Sequence, residues 1–227
     1  MKYVIIGLGN FGASLAEELT KIGHEVIGVD RNMGKVEMVK ETITHSICLD
    51  STDEHAVKQL PLKDADAVMI CIGEDEGANL MSTALMKKIG VKKLISRAIT
   101  PLHQTVLEAM QVDEIVHPEQ ETATRWAKRL NIDCVVDSFE LTGEYSIVEA
   151  TVPERLIGKS LIDIGFHQHY NLIVLTTMSI EEGKNMLGVN KKVNKIKGIA
   201  SPKTVLNKGE IMVLYGHMKD IERFLEE

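Results

Sequence analysis

Aromatic side chains are scarce in this sequence, 4% of its 227 residues, so any core must be assembled from aliphatic side chains, methionine and alanine. Cysteine is also scarce. Cys48, Cys71 and Cys134 lie far apart with no CxxC pair, which argues against a disulfide framework or a thiolate zinc site. Cys48 and Cys71 sit in apolar runs, where a reduced thiol behaves as a small hydrophobe, as expected of a cytoplasmic protein. Long apolar runs are missing. The first, Tyr3–Ile6, stops at Gly7, and none approaches the roughly 18 residues that a membrane span requires or forms the core of a signal peptide. Clustered basic charge is missing too. The net charge is −7, without long runs of one sign, and a phosphate backbone needs grouped Lys and Arg, so nucleic acid is not an expected partner. No internal repeat or low-complexity segment is found.

Hydrophobic residues make up 44% of the chain, enough for a real core. At roughly 150 residues per domain the length allows one large domain or two modest ones. The first two-thirds alternate β-branched runs with helical patterns. Strands are expected at Tyr3–Ile6, Glu25–Val29, His45–Leu49, Ala67–Ile72, Lys93–Arg97 and Glu114–Val116. Helices are expected at Phe11–Ile22, Lys35–Lys40, Glu54–Leu60, Ala78–Ile89, Leu102–Met110 and Glu119–Leu130. In the first helix Leu15, Leu19 and Ile22 repeat at i, i+4 and i+7, a buried stripe. Strands that are apolar on both faces, such as Ala67–Ile72, indicate a parallel sheet covered on both sides. The fold class is therefore α/β, a doubly wound Rossmann sheet over residues 1–133. Beyond it the pattern shifts to shorter strands at Val135–Leu141, Tyr145–Thr151, Leu172–Met178 and Glu210–Tyr215. Short helices are expected at Ser160–Ile164 and Asp220–Leu225, with exposed hairpins or loops over Gly183–Lys208. Residues 134–227 read as a second, smaller α+β domain with little room for an elaborate substrate pocket.

Residues 7–12 read Gly7-Leu8-Gly9-Asn10-Phe11-Gly12. This G-x-G-x-x-G follows a strand, opens a helix and precedes a second strand ending in Asp30, the context of a dinucleotide-binding loop. Gly7 permits the turn, Gly9 lets backbone approach a pyrophosphate, and Gly12 lets helix and strand pack closely. The free amides of the helix start would face the phosphates. Asp30 would accept from the ribose hydroxyls and repel a 2′-phosphate, which disfavours NADP and leaves NAD, ATP and ADP. Asp50 and Ser51 end the third strand, Ile72, Gly73 and Glu74 follow the fourth, and Arg97 ends the fifth, all at the carboxyl edge where ligands of such sheets bind.

These residues resemble a known family. Tyr3 to His117, with Ile115-Val116-His117-Pro118-Glu119, is similar to the RCK (KTN) domain of the Trk and Ktr potassium-uptake regulators. Glu144–Glu149, Gly158-Lys159-Ser160-Leu161 and Leu214-Tyr215-Gly216-His217 are similar to the RCK C-terminal domain. The resemblance implies a cytoplasmic, non-enzymatic gating subunit of a potassium channel or transporter, held at the inner face of the plasma membrane by that partner. It implies a homodimer that assembles into an octameric ring. It assigns Gly7 to Gly12, Asp30, Arg31, Asp50, Ser51, Ile72, Gly73, Glu74 and Arg97 to an adenine nucleotide, ATP/ADP or NAD/NADH. It also assigns Glu119 to a divalent or monovalent cation at the dimer interface, although a carboxylate after Pro118 also suits a plain helix start. The sequence departs from the ATP-binding relatives at Asn10, where they carry arginine; a short neutral side chain cannot balance a terminal phosphate. Phe166-His167-Gln168-His169 stands where some regulators hold cyclic di-AMP through an arginine. His167 and His169 lack a third ligand and read as solvated.

Three other readings were weighed. An NAD-dependent oxidoreductase would need a proton-transferring group opposite the nicotinamide, and the second domain offers no such constellation. A cation/proton antiporter regulator would share every feature above. A redox-sensing repressor would need a basic helix-turn-helix, which the acidic balance opposes.

Overall fold

The computed structural model describes residues 1–131, 134–184 and 190–227. They form two compact units, Met1–Glu119 and Gln120–Glu227. The units divide earlier than the boundary expected at 133/134, and residues 132–133 themselves lie outside the described residues.

The first unit runs β1 (Lys2–Ile6), α1 (Asn10–Lys21), β2 (Glu25–Asp30), α2 (Met33–Val39), β3 (His45–Cys48), α3 (Glu54–Val57), β4 (Ala67–Ile70), α4 (Glu76–Ile89), β5 (Leu94–Arg97), α5 (Pro101–Ala109) and β6 (Glu114–Val116), with α6 (Pro118–Asn131) leading onward. The strands form one parallel sheet in the order β3-β2-β1-β4-β5-β6. Alternate side chains of each strand enter opposite layers. Val4 and Ile6 join Val29, Val68 and Ile70 on one face, while Ile5 joins Val26 and Met69 on the other. That two-sided burial is why the strands read as continuous apolar runs. The strand order reverses between β1 and β4, and in such sheets the crevice beyond the carboxyl ends at the reversal is where ligands sit. Two elements are shorter than expected by two residues or more. α3 ends at Val57, and β4 ends at Ile70, so that Cys71–Gly73 leave the sheet as a loop above its edge.

The second unit contains β7 (Val135–Thr142), β8 (Tyr145–Thr151), a single 3-10 turn at Glu154–Leu156, α7 (Leu161–Ile164), α8 (Phe166–Tyr170), β9 (Ile173–Lys184), β10 (Asn190–Ile199), β11 (Ile211–His217) and α9 (Met218–Glu226). Its five strands form an antiparallel sheet in the order β10-β9-β11-β8-β7. Val148, Leu172, Met212, Leu214, Ile221 and Phe224 build its core. In the segment Gly183–Lys208, read from the sequence as exposed hairpins or loops, the paired alternative holds. β9 runs on to Lys184 and pairs antiparallel with β10; residues 185–189 between them lie outside the described residues. β10 is an edge strand, and edge strands commonly carry lysine to discourage further pairing, which left hairpin and loop undecided from the sequence. Phe166–Tyr170 is helical rather than loop, because Phe166 docks into the core against Phe224. No helix among the described residues is long and apolar enough to cross a membrane.

Candidate functional site

The glycine loop connects β1 to α1 and rests on the loop after β4. Gly7 adopts φ +97°, and a Cβ there would stand 2.8 Å from the Ile72 nitrogen. A Cβ at Gly12 would run into the Gly7 carbonyl oxygen, so the first turn of α1 can lie on the loop only without a side chain at that position. α1 starts at Asn10 after Gly9, with no capping side chain and no acidic residue in its first turn. The next four helices are capped, by Asn32, Asp53, Asp75 and Thr100. A helix start leaves several amides unsatisfied and carries the positive end of the dipole. α1 therefore directs uncompensated donors at whatever lies before it.

Asp30 braces this loop. Its Oδ2 accepts from the Leu8 N–H at 2.8 Å and its Oδ1 from the Asn32 N–H at 2.8 Å. A carboxylate has about four lone-pair sites, so both oxygens keep capacity for further donors. Asp50 accepts from the backbone N–H and the hydroxyl of Thr52 at 2.9 and 2.7 Å. These two bonds, the backbone one foremost, hold its carboxyl below the usual range. Ser51 is turned inward, its Oγ 2.7 Å from that of Ser82. Arg31 pairs with Asp75 at 3.6 Å and Lys35 with Glu74 at 3.3 Å. The two pairs join the start of α2 to the β4–α4 connection.

Arg97, at the end of β5, is largely buried and reaches Glu119 with Nη2 to Oε1 at 2.5 Å. Its Nη1 donates to the Cys71 carbonyl oxygen at 3.5 Å. Its Nε is buried without a hydrogen-bond partner, so the side chain is held by its two terminal nitrogens alone. A side chain at Gly73 would collide with the guanidinium. Burial pushes the Cys71 thiol up to about 12, against the opposing charge of Arg97, so it stays a protonated packing residue.

The glycine loop, Asp30, Asp50, Ser51, the ion pairs Arg31–Asp75, Lys35–Glu74 and Arg97–Glu119, and the loop after β4 line one cleft of about 450 Å³ at the carboxyl edge of the sheet. The structure thus brings Gly7, Leu8, Gly9, Asn10, Phe11, Asp30, Arg31, Asp50, Ser51, Ile72, Gly73, Glu74, Arg97 and Glu119 together. Gly12 lies behind the loop, where it shapes the cleft without lining it. The volume is that of an ordinary small-molecule site. The lining holds six carboxylates (Glu17, Asp30, Asp50, Glu74, Asp75 and Glu119) against three cations, Arg31, Lys35 and Arg97, and each cation is already in an ion pair. A ligand phosphate must therefore rely on the α1 amides and on Arg97. Uncapped amides, a guanidinium at the cleft wall and a carboxylate with open lone pairs fit a nucleotide with few unshielded charges.

Residues 3–118 match the model of the TrkA-N domain family. Over 223 residues the chain is 32% identical to Ktr system potassium uptake protein C of Bacillus subtilis (strain 168), covering 98% of this chain and 95% of that protein. The chain belongs to the TrkA-N family. A further relative is Ktr system potassium uptake protein A of Vibrio alginolyticus, 29% identical over 95% of this chain and 92% of that one. Among solved structures, the NAD(P)-binding domain of an exopolyphosphatase-related protein from Archaeoglobus fulgidus is 25% identical, with a TM-score of 0.51 over 57% of this chain and 96% of that chain. The GsuK channel bound to NAD shares the fold at a TM-score of 0.64 and 16% identity, over 100% of this chain and 39% of that chain.

Reading the sequence of this TrkA-N chain missed part of the lining. Lys35, Met38 and Val39 contribute from α2, Glu17 from α1, and Asp75 and Ala78 from the start of α4. The spacing of 35, 38 and 39 puts them on one helical face, a signal that was available but pointed to no ligand by itself. His167 and His169 lie on α8, and no group of three or more His, Cys, Asp or Glu suited to a metal occurs among the described residues.

Proposed function

We propose that this chain is the nucleotide-sensing regulatory subunit of a potassium uptake channel or transporter. In this reading it lies at the cytoplasmic face of the membrane through its pore-forming partner and works as a homodimer within an octameric ring. The observation that carries the reading is the uncapped start of α1 sharing one cleft with Arg97 and with the Asp30 carboxylate that braces the glycine loop. Relatives named as potassium uptake proteins match over nearly their whole length.

The ligand is an adenine nucleotide, ATP/ADP or NAD/NADH. Asp30 would take the ribose hydroxyls, the α1 amides and Arg97 the phosphates, and Asp50 and Ser51 would border the adenine. The six carboxylates of the cleft oppose a triphosphate more than a dinucleotide whose two phosphates sit on the amides. Asn10 adds no compensating charge. The balance favours NAD, NADH or ADP over free ATP, or ATP accompanied by a cation, for which Glu119 at the mouth is the nearest candidate.

The chain acts by binding and not by catalysis. The lining contains neither His nor Tyr, its one thiol is held protonated, and its lysine and six carboxylates are each already engaged in an ion pair or hydrogen bond, which supports binding over the proton transfer of an oxidoreductase. Ligand binding would instead favour one shape of the assembly over another, by no more than the ligand's difference in affinity for the two. The test is potassium flux through vesicles that contain the co-purified partner. Nucleotide-dependent flux that disappears in Asp30→Ala supports the reading. Flux indifferent to all four nucleotides, or co-purification with a proton antiporter in place of a potassium pore, overturns it.

A further inference from the structure

The N-terminal half of the face that α4 turns toward the sheet is polar, whereas Met86 at its C-terminal half joins the aliphatic core. Asn79, Ser82 and Thr83 are fully buried at 0% exposure, together with Ser96 of β5. Helices covering a parallel sheet ordinarily present an aliphatic stripe, and buried polar groups are tolerated when hydrogen-bonded. Asn79 uses its whole capacity. Its Nδ2 donates to the Ile72 carbonyl oxygen at 2.9 Å and to the Arg97 carbonyl oxygen at 3.2 Å. Its Oδ1 accepts from Ser96 Oγ at 3.1 Å and from Thr83 Oγ1 at 3.4 Å. Both carbonyls can only accept, so the partners themselves fix the orientation of the amide.

The position of those two carbonyls gives the contact its meaning. The β4–β5 ladder pairs Val68 with Leu94, Met69 with Ile95 and Ile70 with Ser96, and then ends. Ile72 and Arg97 lie just past that last rung, where the two chain segments turn to face the cleft. Asn79 supplies the missing cross-link by side chain. It binds the backbone that presents Gly73 to the backbone that presents the Arg97 guanidinium, and it does so from behind the cleft, which it does not line.

We infer that Asn79 is a positioning residue for the ligand, holding Arg97 and the Ile72–Gly73 loop in the geometry that receives the phosphates. The inference rests on the nucleotide reading of the cleft. It is tested on the full chain by calorimetric titration with ADP and, separately, with adenosine, which lacks the groups that Arg97 would meet. Asn79→Leu keeps the approximate volume and removes all four hydrogen bonds. ADP affinity is expected to fall about tenfold, with adenosine changed less than about twofold, since only the phosphate side is displaced. Equal weakening of both ligands, or no change in either, overturns the inference. Thr83→Val keeps both carbonyl bonds of Asn79 and is expected to bind ADP within about twofold of wild type; a loss as large as that of Asn79→Leu also overturns it. Should Asn79→Leu fail to fold, the Asn79 side-chain amide resonances of the wild-type chain decide. They are expected to exchange slowly and to shift with ADP more than with adenosine, and identical shifts contradict the inference. A wild-type chain that binds neither ligand overturns the site itself, and the role of Asn79 with it.

Discussion

In the first unit the N-terminal half of α4 meets its sheet through Asn79, Ser82 and Thr83, with Met86 further along, whereas in the second unit α9 meets its sheet through Ile221 and Phe224. Both interfaces are fully buried, yet they use different forces. Around Phe224 the contacts are chiefly apolar and aromatic, with Phe166 and Tyr170 at ring-centroid distances of 5.1 and 4.8 Å and the Arg155 guanidinium over the ring at 4.8 Å. Such contacts are strong but set no particular atom in a particular place. Beneath α4 the contacts are directional hydrogen bonds that end on the carbonyls of cleft residues. The apolar arrangement holds a unit together. The polar one holds a site in register, at the risk of unsatisfied groups if any member is lost.

The comparison is broken most forcefully at Phe224. Phe224→Ala is expected to destabilise the second unit by about 3–5 kcal/mol, read by urea unfolding. A loss below about 1 kcal/mol would mean that the aromatic cluster does not carry the second core. Next in size is Asn79→Leu, expected to cost about 1–3 kcal/mol because two backbone carbonyls lose a buried partner. Adding Ser96→Ala and Thr83→Val to it removes further stranded groups, so the triple variant is expected to be no less stable than the single one while its ADP binding stays weak. Recovery of binding together with stability would show that the network acts through stability alone.

Acid sharpens the contrast on the side of the second unit. The hydrogen bond from Arg125 holds the Asp137 carboxyl below its ordinary value of 3.8. A depressed folded-state value contributes stability that is present above the unfolded value and is lost as the pH falls through the folded one. Asp137→Asn is therefore expected to lower stability near neutral pH by no more than about 1 kcal/mol, given the exposed Arg125. The difference from wild type should vanish as the pH drops well below 3.8. A difference that persists in acid would assign the effect to packing. The smallest effect is expected at Lys35, whose pair with Glu74 is exposed on the carboxylate side. Lys35→Ala should change stability by roughly 0–1 kcal/mol and less in high salt, as thermal melts at two ionic strengths would show.

How far these features could be read from the sequence follows the same division. The βα alternation and the glycine loop ending in Asp30 are local patterns, and periodicity and spacing expose them directly. Residues at the carboxyl ends of the strands, such as Ser51, Gly73 and Arg97, could be placed because strand polarity alone puts them on one edge. The role of Asn79 could not, since it depends on which carbonyls the sheet leaves unpaired at its end. Its helix was expected from Ala78, and a polar residue in a first turn carries no sign of being buried. The ion pairs of Arg31 and Lys35 join segments far apart in sequence, and the lysines that suit an edge strand left hairpin and loop undecided for β10.

Gly9 offers the most direct test of the central claim. It has φ −69° and ψ −177°, open to any residue, and a Cβ there meets no atom within 4 Å. Gly9→Val should therefore fold as the wild type does while filling the space before the α1 amides. Calorimetric titration of both chains with ADP and NAD is the measurement. The account predicts that the wild-type chain binds at least one of them and that Gly9→Val, with an unchanged melting temperature, binds it at least about tenfold more weakly. Unchanged binding by Gly9→Val, or no binding by either chain, would contradict it.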